Sequence, residues 1–164
     1  LGSQIGQDDW VIKTLGQMRN GNFIDIGCGH FDDISNTIKL EKEYGWYGIG
    51  VDLNDNFSAG WAIGRRNSRF VACDATNCNW FTLLSGMPKR INYLSMDLEP
   101  PELTLKCLKT FPFEEYSFDV ITYETDEYRE LGTVEESRRI LMGWGYRLVK
   151  TVNHQDDFYV RGES

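Results

Sequence analysis

The feature that most constrains this chain is an alternation of short apolar runs with helix-forming segments, sustained from residue 22 to residue 161. The apolar runs are NFIDIG (22–27), WYGIGVDL (46–53), RFVACD (69–74), INYLSMD (91–97) and YSFDVITYE (116–124). Each is short, and most end at a glycine or an acid, as buried strands entering tight turns do. Between them, residues 34–43, 57–66, 79–86 and 100–108 favour helix, with Ser35 and Asn36 as N-caps and Pro100–Pro101 at a first turn that needs no proline N–H. Residues 133–145 form an amphipathic helix with Val134, Ile140 and Leu141 inward, ended by Gly143 and Gly145. Two last strands, 146–152 and 157–161, are joined by the short turn NHQD and must therefore pair antiparallel.

Strand–helix alternation implies parallel pairing with right-handed crossovers and helices on both faces. The expected fold is α/β: a Rossmann-like three-layer sandwich whose seven-stranded, mostly parallel sheet carries one antiparallel C-terminal hairpin strand. The 164 residues, 41% hydrophobic, suffice for one core, so a single domain over 1–164 is expected. No run approaches the roughly 18–20 apolar residues that span a bilayer, so no membrane association is expected. The opening LGSQIGQDDW has neither a basic start nor an apolar run, so no leader is expected either.

A net charge of −8 argues against nucleic acid as a partner. Arg65, Arg66 and Arg69 are a local exception, read as a solvated helix end or, alternatively, as a patch able to meet one anionic group. Cys28, Cys73, Cys78 and Cys107 fit no zinc spacing, and there are only two histidines. Cys28 and Cys73 lie in apolar runs; the cysteines are read as reduced, buried and cytoplasmic, with a disulfide the less favoured option.

In an open α/β sheet ligands bind beyond the carboxyl ends of the strands. Here those ends are acidic: Asp25, Asp52, Asp74, Asp97 with Glu99, and Glu124. The first loop, Asp25-Ile26-Gly27-Cys28-Gly29, places two glycines where backbone must turn sharply beside a ligand. The third glycine of the dinucleotide fingerprint is replaced by Asp32, and a pyrophosphate would be repelled by Asp25, Asp32 and Asp33. A cationic nucleoside such as S-adenosylmethionine would be attracted. Asp52 follows the glycine turn by roughly 20–25 residues, where an acid binds ribose hydroxyls, and Asp74 is placed to accept an adenine amino group. Singly, each acid reads equally well as a strand-end or capping residue; the set points to a nucleoside cofactor. Asp97, Glu99 and Glu124 could orient an acceptor hydroxyl or take its proton, although Glu99 and Glu102 would also suit a helix N-terminus. A metal held by Asp97, Glu99 and Glu124 is less favoured, because no histidine or third aspartate stands with them in the sequence.

Taken in order, SQIGQD (3–8), FIDIG (23–27), SNT (35–37), LE (40–41), GWYGIGVD (45–52), SMDLEPPE (95–102), ITYETD (121–126), GY (145–146) and DDFYV (156–160) resemble the FkbM-type methyltransferases. The resemblance implies methyl transfer from S-adenosylmethionine to a hydroxyl of a small molecule or carbohydrate. By it, Asp25 and Gly27 shape the methionine side of the pocket, Asn36 and Thr37 support it, and Asp52 takes the ribose. Asp97, Glu99 and Glu124 face the acceptor, and Gln4, Gln7 and Asp8 close over the cofactor. The chain departs from the family pattern at Pro100, where glycine is usual, at Asp52 in place of glutamate, and along Cys28–Phe31. It carries no added lid, so its acceptor is met by loops or by a partner subunit in a homo-oligomer. The rival readings are a non-catalytic adenosyl-binding or interaction module and, less favoured, a nucleotide-cofactor oxidoreductase.

Overall fold

The structure is a computed structural model and describes residues 2–65, 67–126 and 131–162. All seven expected strands form: β1 (Asn22–Ile26), β2 (Tyr47–Asp52), β3 (Arg69–Ala72), β4 (Arg90–Met96), β5 (Ser117–Glu124), β6 (Tyr146–Val152) and β7 (Asp156–Arg161). They make one sheet in the order β3-β2-β1-β4-β5-β7-β6. Strands β1 to β5 pair in parallel, while β7 runs antiparallel to both β5 and β6. The fold is therefore the Rossmann-like, mostly parallel arrangement with one reversed strand.

Strand alternation divides two apolar layers. Ile24 and Ile26 of β1, Leu94 and Met96 of β4, and Ile121 and Tyr123 of β5 enter one core. Leu105 and Leu108 of α5 (Pro101–Thr110) and Leu141 of α6 (Leu131–Gly143) close it. Phe23, Tyr93 and Val120 point to the other face and pack with Leu40 of α2 (Ile38–Tyr44), Trp46 and Val11 of α1 (Gln7–Thr14). The register continues along this second face, where Asp25 lies beside Ser95 and Ser95 beside Thr122. A polar row thus crosses β1, β4 and β5 near their carboxyl ends. Among the described residues the further helices are α3 (Ser58–Gly64), preceded by a 3-10 turn (Asp55–Phe57), and the single turn α4 (Trp80–Leu83).

Several local expectations change. Helix α1 is not signalled by apolar periodicity, since Val11 is its one buried apolar residue beside buried Gln7 and Asp8. Helix α2 starts at Ile38, not at residue 34, because Ser35 Oγ accepts the Thr37 and Ile38 N–H groups and holds 31–37 as a capping loop. Cys73 and Cys78 form a disulfide, overturning their reading as reduced thiols; only Cys28 and Cys107 are free and buried. Strand β3 is a half-exposed edge, and Cys73 just beyond it is only partly buried against the core, together with Cys78. No helix among the described residues is long and apolar enough to cross a membrane.

Candidate functional site

The strand order reverses between β1 and β4, which open outward in opposite directions along the sheet. Connections leave the gap between their carboxyl ends uncovered, and a crevice forms there. It has a volume of about 360 Å³, within the roughly 300–1,000 Å³ of small-molecule sites. Gly27, Asp52, Asp74, Asp97 and Glu99 line it, together with Leu53, Leu98 and Leu103. The lining thus contains one carboxylate from the end of each of β2 and β3, and two following β4. Leu103, on α5, faces this crevice and is exposed.

Hydrogen bonds fix the loops that carry the lining and two of its carboxylates, Asp52 and Asp74. Gly27 N–H and Cys28 N–H both donate to the Val51 carbonyl (2.8 and 3.1 Å), and Asp97 N–H donates to the Ile26 carbonyl (3.0 Å). The Asp52 carboxylate accepts Gly29 N–H on Oδ2 (2.9 Å) and Asn54 N–H on Oδ1 (3.0 Å), tying the first two loops together. A carboxylate offers about four lone-pair positions, so two acceptor positions remain for a diol. Asp74 Oδ1 accepts both Thr76 Oγ–H (2.7 Å) and Thr76 N–H (3.0 Å), which hold its carboxyl below the usual range. Thr104 Oγ1 receives Leu98 N–H (3.0 Å) and donates to the Leu98 carbonyl (2.8 Å), folding the Asp97–Glu99 turn onto α5. The Glu99–Pro100 peptide is cis.

The other expected residues stand behind or beside this lining. Asp25 is buried and accepts Thr37 Oγ–H (2.8 Å) on Oδ2. Burial pushes its pKa up to about 6, against the opposing pull of Thr37 and Arg65. Asn36 donates to Ser95 Oγ (3.0 Å), and Gly29 forms the turn above Asp52. Asp8 is occupied locally, accepting Ser3 Oγ–H (2.6 Å) and Ser3 N–H (3.0 Å), and Gln4 is exposed. Gln7 is buried and lies near Asp156.

Glu99 also belongs to a second group: one carboxylate oxygen from each of Glu99, Glu124 and Asp126 lies within 4.8 Å of the others. Asp97 is not in it. Asp126 takes the place the sequence reading gave to Asp97, brought in because the chain turns at positive φ (46°) after β5, where Thr125 N–H and Asp126 N–H both meet the Gln155 carbonyl. Gln155 Nε2 donates to Glu124 Oε1 (3.0 Å). Asp156 pairs in register with Glu124 and is also buried. Burial and the Glu124 charge raise the Asp156 pKa to about 7, with Gln7 opposing and Asp126 and Asp157 adding to the rise. Asp156 begins the DDFYV motif, but its pairing with Glu124, 32 positions earlier across the strand pair, was not marked in the sequence.

Two of the three arginines are engaged within the fold. Arg65 is fully buried and paired with Glu41, Arg69 donates to the Leu83 carbonyl, and Arg66 lies outside the described residues. Arg65 therefore offers no surface anion site.

The Asp156 geometry fixes a pH dependence. Its folded pKa exceeds the ordinary 3.8, so the native state binds the extra proton between about pH 4 and 7. The stabilisation from that proton is complete at low pH and is lost as pH rises through 7. Asp156→Asn is expected to raise stability at pH 8 by about 2 kcal/mol, with the gain shrinking as the pH falls and vanishing only near pH 4. Urea unfolding at the two pH values measures it; an equal effect at both would exclude the titration of Asp156 as the cause.

No protein-family model matches the sequence, the FkbM-type model included, and no curated protein matches it. Solved structures do match its fold. The sugar N-methyltransferase of Streptoalloteichus is 9% identical with a TM-score of 0.63, over 96% of this chain and 87% of that one. The 1,6-didemethyltoxoflavin N1-methyltransferase of Burkholderia thailandensis, crystallised with its substrate and S-adenosylhomocysteine, is 16% identical (TM-score 0.59; 96% and 77% covered). Fibrillarin of Aeropyrum pernix, crystallised with bound S-adenosylmethionine, is 13% identical (TM-score 0.62; 87% and 67% covered). At these identities the likeness shows the fold. This chain has the fold of the S-adenosylmethionine-dependent methyltransferases.

Proposed function

We propose that the crevice binds S-adenosylmethionine and that the chain transfers its methyl group to a hydroxyl of a small molecule or sugar. The observation that carries this reading is the ring of carboxylates at the switch point, with Asp52 held by two backbone N–H groups and still able to accept a diol. The residues fit the cofactor on three counts. The acidic lining suits a ligand bearing a sulfonium and an ammonium. Asp52 and Asp74 offer acceptors to ribose and adenine, and a Cβ at Gly29 would meet nothing within 4 Å, leaving the turn open to an incoming ligand. Leu53, Leu98 and Leu103 supply apolar walls. The same acidic lining and Asp32 in place of the third glycine weigh against NAD.

When bound, the cofactor supplies an electrophilic methyl group. The chain's own work is orientation, exclusion of water and acceptance of a proton. Glu99 borders both the crevice and the Glu124–Asp126 group, so the acceptor hydroxyl is oriented there and its proton passes to a carboxylate of that cluster. Asp97 lines the crevice between the two regions. The ordered motifs that resemble the FkbM-type family support a hydroxyl as the acceptor.

Calorimetric titration with S-adenosylmethionine, NAD and NADP tests this. Binding on the order of micromolar is expected for S-adenosylmethionine alone. Asp52→Asn is expected to weaken it about 100-fold, the worth of one to two charge-assisted hydrogen bonds. No heat with S-adenosylmethionine, or a preference for NAD, would overturn the assignment.

A further inference from the structure

Arg65 follows α3, and none of its side chain reaches solvent. A guanidinium in such a place is tolerated only if each donor finds an acceptor. Nε pairs with Glu41, Nη1 donates to the Phe31 carbonyl (3.0 Å) and Ser35 Oγ (3.4 Å), and Nη2 donates to Thr37 Oγ1 (2.9 Å). Its flat face lies on the Trp61 ring, 4.1 Å from the centroid. All these acceptors belong to residues 31–41, the segment that follows the glycine turn.

Two relays lead from Arg65 to the crevice. Thr37 Oγ1 has one proton; arginine can only donate to it, so that proton goes to Asp25 Oδ2, 2.8 Å away. Trp61, against which the guanidinium stacks, donates Nε1–H to the Gly29 carbonyl (2.9 Å), and Gly29 N–H continues to Asp52 (2.9 Å). We propose that Arg65 is a positioning residue for the cofactor pocket, acting through Thr37 on the Asp25 carboxylate and through Trp61 on the glycine turn above Asp52. This inference rests on the crevice being the S-adenosylmethionine site.

The relay to Asp25 distinguishes positioning from mere support of the fold. Asp25 faces Thr37 at the start of α2, Arg65 after α3, Asp52 from β2, Ser95 and Tyr93 from β4, and Cys28 on its own loop. Thr37 and Arg65 favour its charged form, while burial and Asp52 oppose it. The negative charge of Asp25 attracts the cationic cofactor, and severing the relay leaves burial and Asp52 less opposed. The pH at which that charge is lost therefore rises.

The experiment is the dissociation constant of S-adenosylmethionine from pH 5 to 7, measured for the whole chain and for variants whose folding is checked by circular dichroism. In the wild type, affinity is expected to fall at least threefold as pH drops through about 6, and Asp25→Asn is expected to remove that step. Thr37→Val should move the midpoint upward by about half a unit or more, Arg65→Lys should do the same, and Thr37→Ser should restore it. Thr37→Val is nearly isosteric and leaves the Arg65–Glu41 pair in place, so it decides the matter where Arg65→Lys does not fold. A uniform loss of affinity with an unmoved midpoint would overturn the positioning role, as would wild-type binding without a step. No binding by the wild type at any pH would overturn the cofactor assignment itself.

Discussion

Gly27→Ala is expected to cost about 4 kcal/mol or more of stability and to abolish cofactor binding in whatever protein still folds. Two independent effects add at this position. Gly27 has φ 76°, in the left-handed region where a Cβ costs roughly 1–2 kcal/mol. The larger effect is steric, since the new Cβ would stand 1.7 Å from the Asp97 carbonyl oxygen and 2.7 Å from its carbon. Neither side can yield cheaply. Gly27 N–H is fixed to Val51 in β2, and Asp97 N–H is fixed to Ile26 in β1, so relief requires prising β4 from β1 at the switch point. That motion displaces Asp97 and Leu98, which line the crevice.

Gly29→Ala is the internal comparison. Its φ of 60° carries the same conformational cost, but its Cβ would meet no atom within 4 Å. It should lose only about 1–2 kcal/mol. Urea unfolding of the two variants separates the effects: a Gly27→Ala protein no less stable than Gly29→Ala would show that the β1–β4 approach is not rigid.

The contrast between these glycines shows what the sequence could and could not say. Periodicity and turn residues are local, and they placed the seven strands, the reversed C-terminal strand and the acids at the strand ends. A glycine pair likewise announced a sharp turn. That Gly27 makes room for the Asp97 backbone, whereas Gly29 opens onto free space, depends on how far apart β1 and β4 lie, and no local pattern encodes that distance. The same holds for charge. Arg65, beside Arg66 and Arg69, looks like a solvated helix end until Glu41, 24 positions earlier, is brought against it. Asp126 and Asp156 join the site only through the backbone reversal after β5 and the pairing of β7 with β5. Helix α1 escaped notice because its buried face is largely polar, with Gln7 and Asp8 enclosed beside Val11. The disulfide was the less favoured reading because Cys73 lies in an apolar run, and the turn after β3 brings Cys78 back against it.

The Arg65–Glu41 pair yields the second large effect, and it is one of stability. Glu41 is almost wholly buried and accepts, besides Arg65, the Asn67 N–H (2.8 Å) and Ser68 Oγ–H (3.1 Å). Arg65→Met removes the cation while filling much of its volume, leaving a buried carboxylate without a counter-charge. Such a change typically costs about 3–5 kcal/mol, most of it the penalty of the stranded charge and not the net worth of the pair. Adding Glu41→Gln removes that charge yet keeps a carbonyl oxygen for Asn67. The double variant is therefore expected to be more stable than Arg65→Met alone by about 2 kcal/mol. A double-mutant cycle from urea unfolding at pH 7 measures the coupling. Additive losses would mean that Arg65 stabilises the fold through Phe31, Thr37 and Trp61 alone, with Glu41 a bystander. Recovery in the double variant would show instead that the charge pair is what holds the 31–41 segment behind the crevice.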